Sequence, residues 1–446
     1  MRGHYTGDGY SSENVWMAGR NFQRWGFIPM HFSPVQNILV DNPKDIAVGS
    51  PWFYTRYPPG ADIFQGILFK MGFESRLSHR IADMAVAFAG SLFCCLVLKR
   101  LFDDTSALLG WTVLLFSPSF TFFADSLQQF PWFIFFSWFY LWSVLRFRER
   151  IDSGYPARLG AWFAFFGILG FFASWFSFDA IPAFLSISGL FLFLRNKAST
   201  KNHIWLFAFA APLGALAGFG THLLQNRIVL GGWHAMVLDM TTAFRIRAGL
   251  LLTKDLLNYN VVKHLGKAIL AIQWFYTWPL LLLSVWGWWR FEKGGDLFRR
   301  GLFLSIFGGA IVWQFTMHQH AMIHAFTYRH ADLFVILGFT AFCHQARSWQ
   351  DRGLVIVVMV NLAFHSILGA MQIEGTTAKR YLITHLLSEQ ERTTLACRHK
   401  PIMDHEAELP GAKSIVYSMV PPVCPESLPN LPFIRGHLAE LILYCR

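Results

Sequence analysis

The chain has 446 residues, 54% of them hydrophobic, with 46 Phe and 18 Trp and only 15% charged. Soluble globular chains carry about 25% charged residues, so the composition excludes an ordinary soluble enzyme and points to a membrane protein. The net charge of +11 does not argue for nucleic acid, because the basic residues sit in short links between apolar runs, where they set topology.

The first 76 residues are the one long stretch that is neither apolar nor tail-like. Met1 is not followed by a basic segment and an apolar core, so no secretory signal is read here. Asp8 lies between Gly7 and Gly9, after His4. A carboxylate so placed suits a general base, a divalent-metal ligand or a polar Asp-Gly turn. Glu13 opens a stretch with Val15, Trp16, Met17, Phe22 and Trp25 on an amphipathic spacing, which predicts a helix lying on a membrane surface. Glu13 is open between a helix-start charge and a second catalytic carboxylate. Arg20 suits a phosphate or lipid headgroups, and Arg24 suits headgroups. Tyr54-Thr55-Arg56-Tyr57-Pro58-Pro59 is a stiff, extended segment. Arg56 is its candidate phosphate ligand, and the two prolines read equally as a helix start.

Ten apolar runs follow, at 77–98, 106–123, 130–145, 159–176, 180–194, 204–224, 268–289, 301–317, 333–343 and 354–371. They do not alternate, so they are helices and not barrel strands. The chain therefore reads as an all-α polytopic membrane protein of about ten helices. Lys and Arg concentrate in alternate links, around 99–100, 146–158, 195–201, 290–300 and 347–352, which makes those links cytoplasmic. The opening segment, the links at Asp125 and Asp179, the 226–267 interval, the link from His318 to His330 and the tail then face outward. Two acidic residues at helix ends on the face that carries Asp8 suggest a shared cavity. The 226–267 interval, with Leu250 to Leu252 and Leu256-Leu257, predicts one or two amphipathic helices or a loop. His318, His320 and His324 form the densest polar cluster. They suit a metal or a polar interface.

Three regions result: an outward loop at 1–76, a transmembrane domain at 77–372 and a small outward tail at 373–446. Cys94, Cys95 and Cys343 lie in apolar runs, whereas Cys397, Cys424 and Cys445 lie in the tail with no pairing assigned. An outward opening segment needs a helix ahead of it, so in-frame codons upstream of Met1 are expected to encode an apolar run.

His4 to Gly26, with Ala18-Gly19-Arg20-Asn21-Phe22 and Trp25-Gly26-Phe27, resembles the first outer loop of GT-C type membrane glycosyltransferases of the family-39-like kind. That superfamily includes protein O-mannosyltransferases and the aminoarabinose transferase of lipid A. Tyr54-Thr55-Arg56-Tyr57-Pro58-Pro59 resembles the family's tyrosine, histidine and proline element, with Arg56 and Tyr57 where paired histidines are usual. Leu77 to Phe102, Ser174-Trp175-Phe176-Ser177-Phe178 and Ile323-His324-Ala325-Phe326 are similar to later elements.

The resemblance implies a GT-C-like helical bundle that takes a sugar from a polyprenyl-phosphate donor and passes it to a lipid, glycan or protein acceptor. Asp8 or Glu13 would be the base. His4, Arg20, Arg56, Tyr57, Asp125, Asp179 and His324 would bind donor phosphate or substrate. A divalent metal stays open at Asp8, His320 and His324. The expected setting is a bacterial inner membrane with the active face periplasmic or extracellular. A lipid or sugar transporter, or a non-catalytic relative that assembles the envelope, is the alternative. No internal repeat supports a transporter.

Overall fold

The computed structural model describes residues 9–36, 39–50, 52–153, 158–178, 180–192, 204–247, 266, 273, 275–293, 297–317 and 329–386. Most of these residues are helical, with irregular links, a single isolated bridge between Val35 and Phe53 and no strand among them. The chain is an all-α polytopic membrane protein. Three described helices are long and apolar enough to cross a membrane: Arg76–Leu101, Leu159–Phe176 and Phe207–Val229.

The helices are α1 (Gly9–Trp25), α2 (Gly60–Lys70), α3 (Arg76–Leu101), α4 (Asp104–Phe116), α5 (Pro118–Phe123), α6 (Phe130–Asp152) and α7 (Leu159–Phe176). They continue with α8 (Ala180–Ser188), α9 (Phe207–Val229), α10 (Trp233–Arg247), α11 (Trp278–Glu292), α12 (Leu297–Thr316), α13 (Asp332–Gln345) and α14 (Trp349–Leu386). The described residues up to 368 belong to one compact unit, and those from 369 on lie outside it.

Several boundaries depart from the apolar runs, each for a local reason. The run at 106–123 is two helices, because Pro118 has no N–H to continue the first and forces Ser117 into an extended conformation. Ser117 then caps α5, its hydroxyl accepting from Phe120 N. The run at 180–194 tightens after Ser188 into a 3₁₀ turn, Gly189–Leu192. The 226–267 interval begins with the end of α9 and with α10, whereas Leu250 to Leu252 and Leu256-Leu257 lie outside the described residues. The three tail cysteines lie outside them as well.

Lipid supplies no hydrophobic force between helices, so close packing and interhelical hydrogen bonds must hold them. The α7–α9 pair meets through small residues. A side chain built on Gly214 would overlap the Gly167 carbonyl oxygen, and one built on Gly170 that of Ala211. Ser174 Oγ donates to the Ala215 carbonyl across this contact (2.9 Å). The α11–α13 pair repeats the device: Gly338 faces Ser284, Ser284 Oγ donates to Val335 O (2.8 Å) and Trp288 Nε1 donates to Phe334 O (2.8 Å).

The segment before α3 has its own core. Phe22, Met30, Val35, Val40, Ile46, Phe53 and Ile63 are buried together with Val229 from the end of α9. Asn21 staples the loop to α1, donating to Val35 O and accepting from Val40 N, each at 2.9 Å. Gly26, at φ 86°, ends α1 in the left-handed conformation that terminates helices. Here α1 is not only a surface helix: Ala18, Asn21 and Phe22 are buried, and Gly19 presses against Gln65 of α2.

Gly214→Leu should force α7 and α9 apart and lower the thermal midpoint of the detergent-solubilised protein, a cost of about 1–3 kcal/mol. Gly220→Leu lies on the same helix with nothing within 4 Å of its added carbon, and should leave the midpoint close to wild type.

Candidate functional site

Two groups of polar side chains stand at the end of the bundle that carries α1 and α2. The first forms where α1, the start of α3 and the α5–α6 link meet. Ser75 caps α3, its hydroxyl accepting from Ser78 N (3.0 Å). This fixes Arg76 in the first turn and Arg80 one turn on. The Arg76 and Arg20 guanidinium groups each lie 4.7 Å from the centre of the Trp16 ring, a favourable cation–π distance. Arg80 pairs with Asp125 at 3.9 Å, both partly buried. The Ser12 and Ser126 hydroxyls approach to 3.4 Å, so the Asp125-Ser126 link touches the second turn of α1.

Position 13 stands in this second turn. Its register puts it on the α1 face of Trp16 and Arg20, three and seven residues on. The Glu13 side chain itself lies outside the described part. His4, Asp8, Asp179, His320 and His324 also lie outside the described residues. Of the sequence candidates, Arg20 and Asp125 are therefore brought to one face with position 13. Three guanidinium groups gather there, a setting that favours an anion.

Directly behind this face is a buried polar chain that joins α2 to α3. Gln65 Nε2 donates to Asp83 (2.7 Å), His79 Nδ1 meets Gln65 Oε1 (2.6 Å) and His79 Nε2 meets the Phe73 carbonyl (2.7 Å). Aromatic contacts tie the same region to the rest of the bundle: Phe64 on Trp132 (5.0 Å) and Trp132 on Phe176 (4.0 Å).

The second group is built around Thr55. Its carbonyl accepts from His222 Nε2 (3.0 Å) and from Asn226 Nδ2 (2.9 Å), both on α9. Its hydroxyl donates to Asp239 on α10 (2.6 Å). One residue earlier, Tyr54 N donates to Pro34 O (2.8 Å). The stiff segment is thus held from both sides, and it carries an exposed Arg56 and a Tyr57 ring stacked on Tyr54 at 6.1 Å. Gly60 ends it. A side chain there would meet the Trp175 carbonyl at 2.7 Å and Phe176 at 2.8 Å, so the Tyr54–Gly60 and Ser174–Phe178 elements of the sequence come into contact.

Asp62, in the first turn of α2, is buried and accepts from Gln36 Nε2 (2.9 Å). Burial pushes its carboxyl up to about 7. Among the described residues no three His, Cys, Asp or Glu side chains stand close enough to share a metal ion.

Asp62, Arg76, Arg80, Asp83, His222 and Asp239 were not candidates from sequence. Asp83 had a readable signal, an acid inside an apolar run. Asp239 and His222 had none, because only the fold brings them within reach of Thr55.

No protein-family model matches this sequence, and no curated protein matches it. Among solved structures the chain resembles the Archaeoglobus fulgidus oligosaccharyltransferase in its apo form, with a TM-score of 0.50 and 11% identity. The match covers 98% of this chain and 60% of that one, so the chain spans about three fifths of that protein's length. At this identity the likeness is one of fold alone.

An unfolded Asp has its ordinary value of 3.8, whereas folded Asp62 holds its proton up to about 7. The folded state therefore binds more protons between these values, and stability falls as pH rises through them. The full difference is roughly 4 kcal/mol. Asp62→Asn keeps an acceptor for Gln36 and should remove this fall. Its thermal midpoint should exceed wild type at pH 8 and converge with it as pH falls to the ordinary value of 3.8.

Proposed function

We propose that the chain is an integral-membrane glycosyltransferase. It moves a sugar from a polyprenyl-phosphate donor to a lipid, glycan or protein acceptor, on the side of the membrane that carries α1. The observation that carries this reading is the approach of Ser12 to Ser126 (3.4 Å). It sets the Asp125-Ser126 link against α1, the helix that carries position 13 and Arg20, and Arg76 and Arg80 of α3 stand at the same junction.

The chemistry follows from that face. A carboxylate, Asp8 or Glu13, takes the proton from the acceptor hydroxyl or amine. The acceptor attacks the anomeric carbon, the bond from that carbon to the phosphate oxygen breaks, and the lipid phosphate leaves with both electrons. The guanidinium groups balance the charge that gathers on the phosphate. The aromatic faces of α6 and α7 can line a groove for the lipid tail. A divalent metal would belong with Asp8, His320 and His324.

The test uses the intact protein in lipid with a polyprenyl-phosphate sugar and a panel of acceptors. Loss of one base should slow transfer by about 10²–10⁴-fold. Asp8→Asn and Glu13→Gln are compared with wild type. One of them should slow turnover by that factor and the other should not. Donor left intact by wild type with every acceptor class would contradict the proposal.

A further inference from the structure

The helix α10 presents three different faces. Met236 and Ala243 are buried, and with Asp239 and Met240 they form one face at helical spacing. This face is turned toward the protein: Asp239 holds the Thr55 hydroxyl at 2.6 Å, and Asn226 Nδ2 lies 3.7 Å from Met240 Sδ. Trp233, Val237 and Phe244 form a second stripe at i, i+4 and i+11, and they are 53%, 50% and 48% exposed. His234, Thr241 and Arg245, at i, i+7 and i+11 of their own series, form a third, exposed and polar. Among the described side chains of α10, Leu238 is the one large exposed apolar residue off the second stripe.

What covers the apolar stripe can be read from α9. Phe209, Leu213, Leu216 and Leu224 are large, exposed and on one side of this apolar span, as lipid-facing residues are. The next position on that side is Arg227, and its guanidinium lies 4.7 Å from the centre of the Trp233 ring. An apolar stripe that ends in a stacked arginine and tryptophan is the pattern of a helix leaving the acyl region for the headgroup level. The turn at Gly231 and Gly232, with φ of 81° and 159°, then redirects the chain into α10. The stripe of α10 thus continues the lipid-facing side of α9, with a polar stripe beside it.

We propose that α10 is seated in the headgroup and upper acyl region of the leaflet it emerges into, and that through Asp239 it holds the Tyr54–Pro59 segment in place. The occupant of the apolar stripe is phospholipid. A helix bound in this way senses how that leaflet is packed, and Thr55 is where it acts on the site. The inference concerns a lipid-contacting surface and stands whether or not the chain transfers a sugar.

The test uses the full chain in liposomes of phosphatidylethanolamine and phosphatidylglycerol. A photoreactive benzoylphenylalanine is placed at Val237, at Phe244 or at Met236, and adducts are read by mass spectrometry. Phospholipid adducts are expected at Val237 and Phe244 and protein crosslinks at Met236. Absence of lipid adducts at both outward positions, in variants that elute as wild type does, would overturn the seating.

The coupling is read by amide exchange of the 53–57 peptide. Asp239→Ala should speed it about tenfold or more, the loss of a hydrogen bond to a charged group. Val237→Asp, which should lift α10 from the lipid, should speed it in the same direction. A Val237→Asp protein that loses the lipid adduct at Phe244 while this peptide exchanges at the wild-type rate would overturn the coupling.

Discussion

The backbone around Thr55 is the constraint on which the polar end of this molecule depends. From Gln36 to Pro59 the described chain has little helix of its own, so its backbone groups must find partners elsewhere. The end of α9 and the helix α10 provide them. His222 and Asn226 satisfy the Thr55 carbonyl, Asp239 takes the Thr55 hydroxyl, and the Gly49 amide donates to the Val229 carbonyl at 2.7 Å. A segment without regular structure becomes stiff because helices packed for membrane reasons carry polar side chains at their ends.

That dependence explains where small residues had to go. The contact of Trp175 and Phe176 with the chain at Gly60 leaves no room for a side chain, and it lets the end of α7 buttress the start of α2. From there α2 continues the linkage inward. Gln65 reaches Asp83, His79 reaches Gln65, and Phe64 rests on Trp132. Arg76 and Arg80, one turn apart at the head of the same span as Asp83, are thereby set against Trp16 and Asp125. The proposed catalytic face is thus built on the first turns of a membrane helix, and its position follows the packing of that helix.

Much of this architecture was legible in the sequence. The span at 159–176 coincides with α7, and the Pro-Pro pair does start α2, because periodic apolar runs and proline geometry act locally. The break at Pro118 is also a local effect, but the apolar run conceals it. The polar site was less legible. Arg20 and Asp125 carry a visible charge at a visible boundary, and the structure sets the first on Trp16 and the second beside Arg80. Arg76 and Arg80 look like ordinary interface cations until the fold stacks one on Trp16 and pairs the other with Asp125. Thr55 is bound across more than 160 residues by His222, Asn226 and Asp239. Nothing in the spacing of a single chain announces partners so distant.

The central claim is that a lipid-linked phosphate sits on the face made by α1, the head of α3 and the Asp125-Ser126 link. The most direct measurement is photoaffinity labelling of the intact protein in lipid with a polyprenyl-phosphate sugar whose photoreactive group lies beside the phosphate, followed by mapping of the labelled peptides. The account predicts label within residues 9–25, 76–84 and 122–128, suppressed by unlabelled donor. Label confined to peptides outside these three, or left unchanged by competing donor, would contradict it.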